Sequence, residues 1–301
     1  MHHDQDGSVT LEIALIHEHV PHPPIAAFEP ERCAAVQKAV EHALRLPPLA
    51  GGETTCVVLE ERRCEIGGVA VRYWVAGSGH PALLVHGLGG SRRWWDPVTE
   101  PLAQRMRIHL VDLPGFGSAR GRPFVLGDAH AFIRALLEEL GLERVYLMGH
   151  SLGGVVCARV AASSPDLVER LVLVAPAGML DRQRASQYAL PIATALRHAG
   201  PRFLRTAAGD TLRAGPLMVY RVGRQLLRDD ALRVELSAIE APTLLVWGER
   251  DPIVLPRLAT EYQRAIASAE LVVLPGAGHV PMSDQPDDFA AAVLEFLPRS
   301  R

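Results

Sequence analysis

Short, almost wholly apolar segments recur along the chain with helical patterns between them, and this alternation restricts the fold more than any other feature. Ala82–Val85, Ile108–Val111, Val145–Met148, Leu171–Val174, Thr243–Val246 and Leu271–Leu274 are too short for helices and lack the polar alternation of a half-exposed strand. Strands buried on both faces have this character. The stretches Ala129–Leu140, Leu152–Ala162, Leu255–Ala267 and Asp287–Phe296 carry apolar residues at helical spacing. Buried strands alternating with helices predict an α/β fold with a doubly wound, mostly parallel sheet. Upstream, Thr55–Leu59 and Val69–Val75 read as an antiparallel pair around Gly67-Gly68, which brings the expected sheet to eight strands.

Two stretches break the rhythm. Between Val174 and Thr243 no core strand occurs; residues 180–238 are helix-biased and punctuated at Gly200-Pro201 and Gly215-Pro216. An interval of that length predicts a helical cap, residues 178–238, inserted over the carboxyl edge of the sheet, where open α/β sheets bind ligands. The core is then 51–177 with 239–301. Residues 1–50 form an arm in which His2, His3, His17, His19 and His22 crowd near Pro21, Pro23 and Pro24, followed by one helix, Glu31–Leu46, that Pro47-Pro48 ends. His-x-His in a Pro-rich stretch has no fixed ligand geometry, so the arm is read as a flexible extension rather than a metal site. It packs on the core or on a second subunit, and arm or cap could carry a homodimer contact.

Chemistry concentrates at the carboxyl ends of the expected strands. Gly149-His150-Ser151-Leu152-Gly153-Gly154 follows Val145–Met148 and opens a helix. Glycines flanking the serine allow a tight, strained strand-to-helix turn that lifts the hydroxyl clear of the backbone. A serine hydroxyl needs a base, and the base needs a carboxylate to hold its tautomer. His279, after Leu271–Leu274, and Asp251, after Thr243–Val246, emerge on the same sheet edge, in the chain order Ser…Asp…His. Glu249 and Asp181 are rival acids; Asp251 is preferred because the following Pro252 fixes its direction. The loop His86-Gly87-Leu88-Gly89-Gly90 after Ala82–Val85 lets backbone approach a substrate, so the N–H groups of Leu88 and Leu152 are the expected oxyanion donors. His86, Gly87, His150 and Trp95 are candidate substrate contacts. Trp94 and Trp95 read equally well as packing indoles, and His86 and His150 as hydrogen-bonding residues beside the site.

With Asp112-Leu113-Pro114-Gly115-Phe116-Gly117-Ser118 and Gly248-Glu249-Arg250-Asp251 added, these motifs fall in the order that resembles a cap-bearing α/β-hydrolase-fold protein, over residues 55 to 297. The resemblance implies a serine hydrolase working through an acyl-enzyme, with Ser151 as nucleophile, His279 as base and then acid, and Asp251 as its orienter. It implies no cofactor. Dehalogenase and epoxide-hydrolase relatives use an aspartate nucleophile, and the serine argues against both.

The leading expectation is a carboxylic ester hydrolase for small-to-medium, largely apolar acyl groups. Leu190, Ile192, Leu204, Leu212, Leu217, Met218, Val219 and Tyr220 would roof the pocket, and Arg182, Arg184, Arg202, Arg205 or Arg213 could meet a substrate carboxylate. Carbon–carbon hydrolysis of meta-cleavage products is the alternative. Its relatives carry a tryptophan after the histidine, where this chain has Val280-Pro281-Met282. Acyl transfer or peroxyacid formation would use the same acyl-enzyme, and a non-catalytic receptor is disfavoured by the complete set of catalytic residues. The 301 residues are 48% hydrophobic with a formal net charge of −3, which gives no reason to expect nucleic acid or an anionic membrane as partner. No apolar run reaches the length of a membrane span. The start, Met1-His2-His3-Asp4, lacks a signal peptide's basic region. Cys33, Cys56, Cys64 and Cys157 lack CxxC spacing, and a cytoplasmic protein with reduced thiols is expected.

Overall fold

The structure is a computed structural model, and it describes residues 57–120, 122–179, 192, 194–195, 199–228 and 236–298. The expected arm helix, Thr55, Asp181, Arg182, Arg184, Leu190, Cys33 and Cys56 lie outside the described residues. The chain divides into a unit ending at Glu60 and one running from Glu61 to Arg301. Apart from the first residue of β1, the account below concerns the second.

Its centre is an eight-stranded sheet in the order β1-β2-β4-β3-β5-β6-β7-β8. The strands are β1 (Glu60–Ile66), β2 (Val69–Ala76), β3 (Pro81–Val85), β4 (Arg107–Val111), β5 (Val145–His150), β6 (Val168–Val174), β7 (Thr243–Gly248) and β8 (Ala269–Leu274). From β4 to β8 every neighbouring pair is parallel, and β2 joins β4 antiparallel. All residues of β5 and β7 are buried, as continuous apolar strands covered on both faces must be.

One strand differs from expectation. The first is Glu60–Ile66, and the described part of the expected segment, Val57–Leu59, lies before it. Gly67 and Gly68 both have positive φ, 56° and 75°, the geometry of a two-residue hairpin turn, so the partner of β2 must end directly at Ile66. Its charged residues, Glu60-Glu61-Arg62-Arg63, suit an exposed edge and hid it from a reading based on apolar runs.

Helices cover both faces. α1 (Asp96–Ala103), a helix with Pro97 in its first turn and Pro101 inside it that is absent from the expected helices, packs with α8 (Pro286–Phe296). On the other face lie α2 (Ala129–Glu139), α3 (Leu152–Ser163) and α6 (Arg257–Ala265). Between β6 and β7 the described helices are α4 (Pro201–Ala214) and α5 (Pro216–Arg228), and each starts at one of the expected Gly-Pro steps. α7 (Pro281–Asp284) is a single turn. Among the described residues no helix is long and apolar enough to cross a membrane.

The core holds a titratable group in β4. His109 is buried, its Nδ1–H donates to the Ala82 carbonyl of β3 at 3.2 Å, and burial lowers its pKa to about 4. The neutral form is native, whereas the unfolded chain takes up a proton near pH 6.5. The stabilisation is therefore complete above about pH 6.5 and is lost as pH falls towards 4. Urea unfolding across that window is expected to show stability falling by about 3 kcal/mol from His109 alone. His109→Leu should flatten the slope.

Candidate active site

The site begins with backbone geometry at Ser151. The residue sits between β5 and α3 at φ 51°, ψ −112°, a left-handed conformation costing about 1–3 kcal/mol for a residue with a side chain. Neighbours hold it there. Its N–H donates to the Val174 carbonyl at 2.8 Å, and its carbonyl accepts from Ala177 N–H at 3.2 Å. The flanking glycines are needed for space rather than for φ. A Cβ on Gly149 would come closer than 3.0 Å to Gly153 backbone and Cys157 Sγ, and one on Gly153 would strike the carbonyls of Val85 and His86. α3 is thereby drawn against the ends of β3 and β5, and the N–H of Leu152, in its first turn, has no intrahelical acceptor.

The histidine and the acid arrive on adjoining loops. Asp251 Oδ1 accepts from the N–H groups of Ile253 and Val254 at 2.8 and 3.0 Å. This leaves Oδ2 to take the Nδ1–H of His279 at 2.7 Å. With Asp251 Oδ2 as acceptor, Nδ1 is the donor, and Nε2 faces Ser151 Oγ 3.1 Å away. Ser151, Asp251 and His279 are only 7%, 2% and 7% exposed, so this chain of hydrogen bonds is shielded from water. The two loops fit without side-chain room, since a Cβ on Gly248 would collide with the Gly278 and Ala277 carbonyls. The rival acid is committed elsewhere: Glu249 accepts from Gly276 N–H at 2.9 Å and ties the same loops together at the surface.

The loop after β3 completes the arrangement. Gly90 N–H turns back to the Gly87 carbonyl at 3.1 Å, a bond in which the N–H groups of Leu88 and Gly89 take no part. A Cβ on Gly87 would stand 3.2 Å from Ser151 Cβ, so the loop lies directly beside Ser151.

Residues 82–292 match the alpha/beta hydrolase family. The chain belongs to this family. A pimeloyl-(acyl-carrier protein) methyl ester esterase of Nitrosospira multiformis is 28% identical over 261 residues, which cover 77% of this chain and 99% of that protein. Among solved structures, a membrane phospholipase A described as a bacterial virulence factor superposes with a TM-score of 0.70 at 25% identity, covering 90% of this chain and 92% of that one. A serine hydrolase involved in carbazole degradation superposes with a TM-score of 0.67 at 25% identity, covering 79% and 98%.

In this α/β hydrolase the remaining candidates have structural tasks. His86 is wholly buried; its Nε2 accepts from Leu113 N–H at 3.0 Å and its Nδ1–H donates to the Gly87 carbonyl at 2.8 Å. Burial lowers its pKa, and the neutral ring staples the loop after β3 to the loop after β4. His150 is likewise buried and held well below the ordinary histidine pKa, first by burial and then by the neighbouring His279. Its Nε2–H donates to the His279 carbonyl at 2.8 Å, which fixes the backbone of His279. Trp95 is a correction. It is wholly buried against Phe289 of α8 and offers no accessible surface to a ligand; its neighbour Trp94 stands between His150 and Phe203 of α4. Asp112 accepts from Arg92 and Ser118 N–H, both at 2.7 Å, so its motif shapes the floor beneath the site.

Three contributors escaped the sequence reading. Ala175 adopts φ 42° beside Ser151 with no glycine to advertise the turn. Asp284, whose pKa burial raises, accepts from Gly278 N–H at 2.8 Å and steadies the residue before His279. Asp210 of α4, buried among arginines, anchors to Ser91.

The Gly248–Gly278 contact is directly testable. Gly248→Ala is expected to lose about 2–3 kcal/mol in denaturant unfolding because the backbone of the histidine loop cannot yield cheaply. Gly127→Ala, in open space, should stay within about 0.5 kcal/mol of the parent.

Proposed function

We propose that this α/β hydrolase cleaves carboxylic esters of small-to-medium, largely apolar acyl groups through an acyl-enzyme at Ser151. The observation that carries the reading is the buried sequence of hydrogen bonds from Asp251 through His279 to Ser151, at 2.7 and 3.1 Å. The methyl ester esterase among its relatives supports ester chemistry.

Ser151 Oγ attacks the ester carbonyl carbon while His279 Nε2 takes the hydroxyl proton. The imidazolium is stabilised by Asp251, and the tetrahedral oxyanion is received by the N–H groups of Leu88 and Leu152. Collapse breaks the bond to the alcohol oxygen, which leaves with the proton from His279. Water then repeats the sequence, giving up a proton to His279 and releasing the acid with Ser151 restored. Oxyanion donors of this kind each contribute about 3–4 kcal/mol to the transition state.

The pair α4–α5 serves as the cap in this reading. Met218 lies over Gly115, Val219 and Thr211 over Gly89, and Leu88 packs beside Gly223, which puts apolar side chains over the loops at the sheet's carboxyl edge. The thiols of Cys64 and Cys157 are free, in keeping with a cytoplasmic setting.

A p-nitrophenyl ester series from acetate to laurate tests the assignment. Turnover is expected to peak at short or medium chains and to vanish in Ser151→Ala. Asp251→Asn should lower kcat by about three to four orders of magnitude, while Glu249→Gln stays within a few-fold. Inactivity on every ester, with hydrolysis of a vinylogous diketo acid instead, would replace this reading by carbon–carbon cleavage.

A further inference from the structure

We infer that Asp210 is a positioning residue for the loop beside Ser151, so that the seating of α4–α5 and the placement of the Leu88 N–H are one coupled setting. The inference rests on the ester-hydrolase reading only for what the loop does; the coupling stands on contacts.

The loop 86–95 is held from two sides. From the core, His86 ties Gly87 to Leu113, and Asp112 accepts from Arg92 N–H at 2.7 Å. From the helix pair, the decisive hold is a single carboxylate. Asp210 is 1% exposed, its Oδ2 accepts from Ser91 Oγ at 2.7 Å, and its Oδ1 pairs with the Arg93 guanidinium. Ser91 is itself the N-cap of the short turn Arg92–Trp95, its Oγ accepting from Arg93 N–H at 3.3 Å. The bond from Asp210 therefore reaches the capping hydroxyl that ends the Gly-rich segment and starts the next element. Around it the contacts run in register along the loop: Leu88 against Gly223, Gly89 against Thr211 and Val219, and Trp94 against Phe203. Apolar packing alone would let the helices slide over the loop. A buried, directional pair of bonds does not, because any shift leaves a desolvated carboxylate and hydroxyl unpaired.

Arg213 also approaches Asp210, at 3.5 Å, but it is 48% exposed and belongs to the same helix, so this contact holds no second element. Every other charged side chain described in α4 is an exposed arginine, which is why the position reads from sequence as solvated surface.

Two measurements on the full chain decide the matter. Hydrogen exchange followed by mass spectrometry is the first and needs no turnover. Asp210→Ala is expected to raise exchange in peptides covering 86–95 as well as 201–214, and Ser91→Ala, approached from the core side, to do the same. Asp210→Asn, which keeps an acceptor for Ser91, should restore most of the protection. Arg205→Ala, on the exposed face of the same helix, should change neither. The second is steady-state kinetics with p-nitrophenyl acetate. Its acyl group is too short to need a roof, yet Asp210→Ala is expected to lower kcat about 10–100-fold with KM nearly unchanged, as displacement of an oxyanion donor would. Asp210→Asn should recover most of that loss.

Increased exchange confined to 201–214, with 86–95 as protected as in the parent, would overturn the coupling. So would a rise in KM for long acyl esters with acetate kcat intact, which would make Asp210 a fastening for the roof only. If the parent turns over no ester, the proposed function fails on its own, and the exchange result still decides whether Asp210 sets the loop. If Asp210→Ala does not fold, Ser91→Ala and Asp210→Asn carry the same comparison.

Discussion

The left-handed backbone of Ser151 is affordable only because the strands and helix around it leave no other path. A conformation at φ 51° persists when its surroundings over-determine it, and here they do so with bonds to Val174 and Ala177 and with carbonyls packed against Gly149 and Gly153. Relaxing the turn would pull α3, buried from Leu152 to Ala158, off the ends of β3 and β5. Fold stability thus holds the hydroxyl out of the backbone, 3.1 Å from His279 Nε2.

The same economy governs the rest of the site. Loops at the carboxyl edge are short of side chains where they touch one another and rich in buried hydrogen bonds where they must not move. Gly248 and Gly278 meet backbone to backbone, Asp251 spends one oxygen on its own loop and one on His279, and His150 holds the His279 carbonyl. Each histidine beside the pair is kept neutral by burial and given a backbone partner. The geometry is therefore set by the fold itself, the condition that electrostatic stabilisation without reorganisation would require.

Much of this was legible in the chain because the information is local. Buried strands announce themselves as short apolar runs, and a serine between glycines after such a run specifies both the turn and its place on the sheet. Convergence of Ser151, Asp251 and His279 followed from strand order alone. What stayed hidden depends on direction or on distant partners. Trp94 and Trp95 are neighbours on one tight turn, yet one faces His150 and the other α8, and no periodicity rule separates them. β1 carries edge charges instead of apolar residues, so only the positive φ of Gly67 and Gly68 locates its end. Asp210 looks like one more charge on an arginine-rich helix; its hydroxyl partner, Ser91, lies 119 residues away in sequence.

The central claim is that Ser151 is a nucleophile activated by His279. Exposure to diethyl p-nitrophenyl phosphate, followed by peptide mass spectrometry, tests it without any choice of ester. A single diethylphosphoryl group on Ser151, with labelling abolished in His279→Ala, is the predicted result. Modification of another residue, or labelling of Ser151 at an undiminished rate without the histidine, would contradict the account.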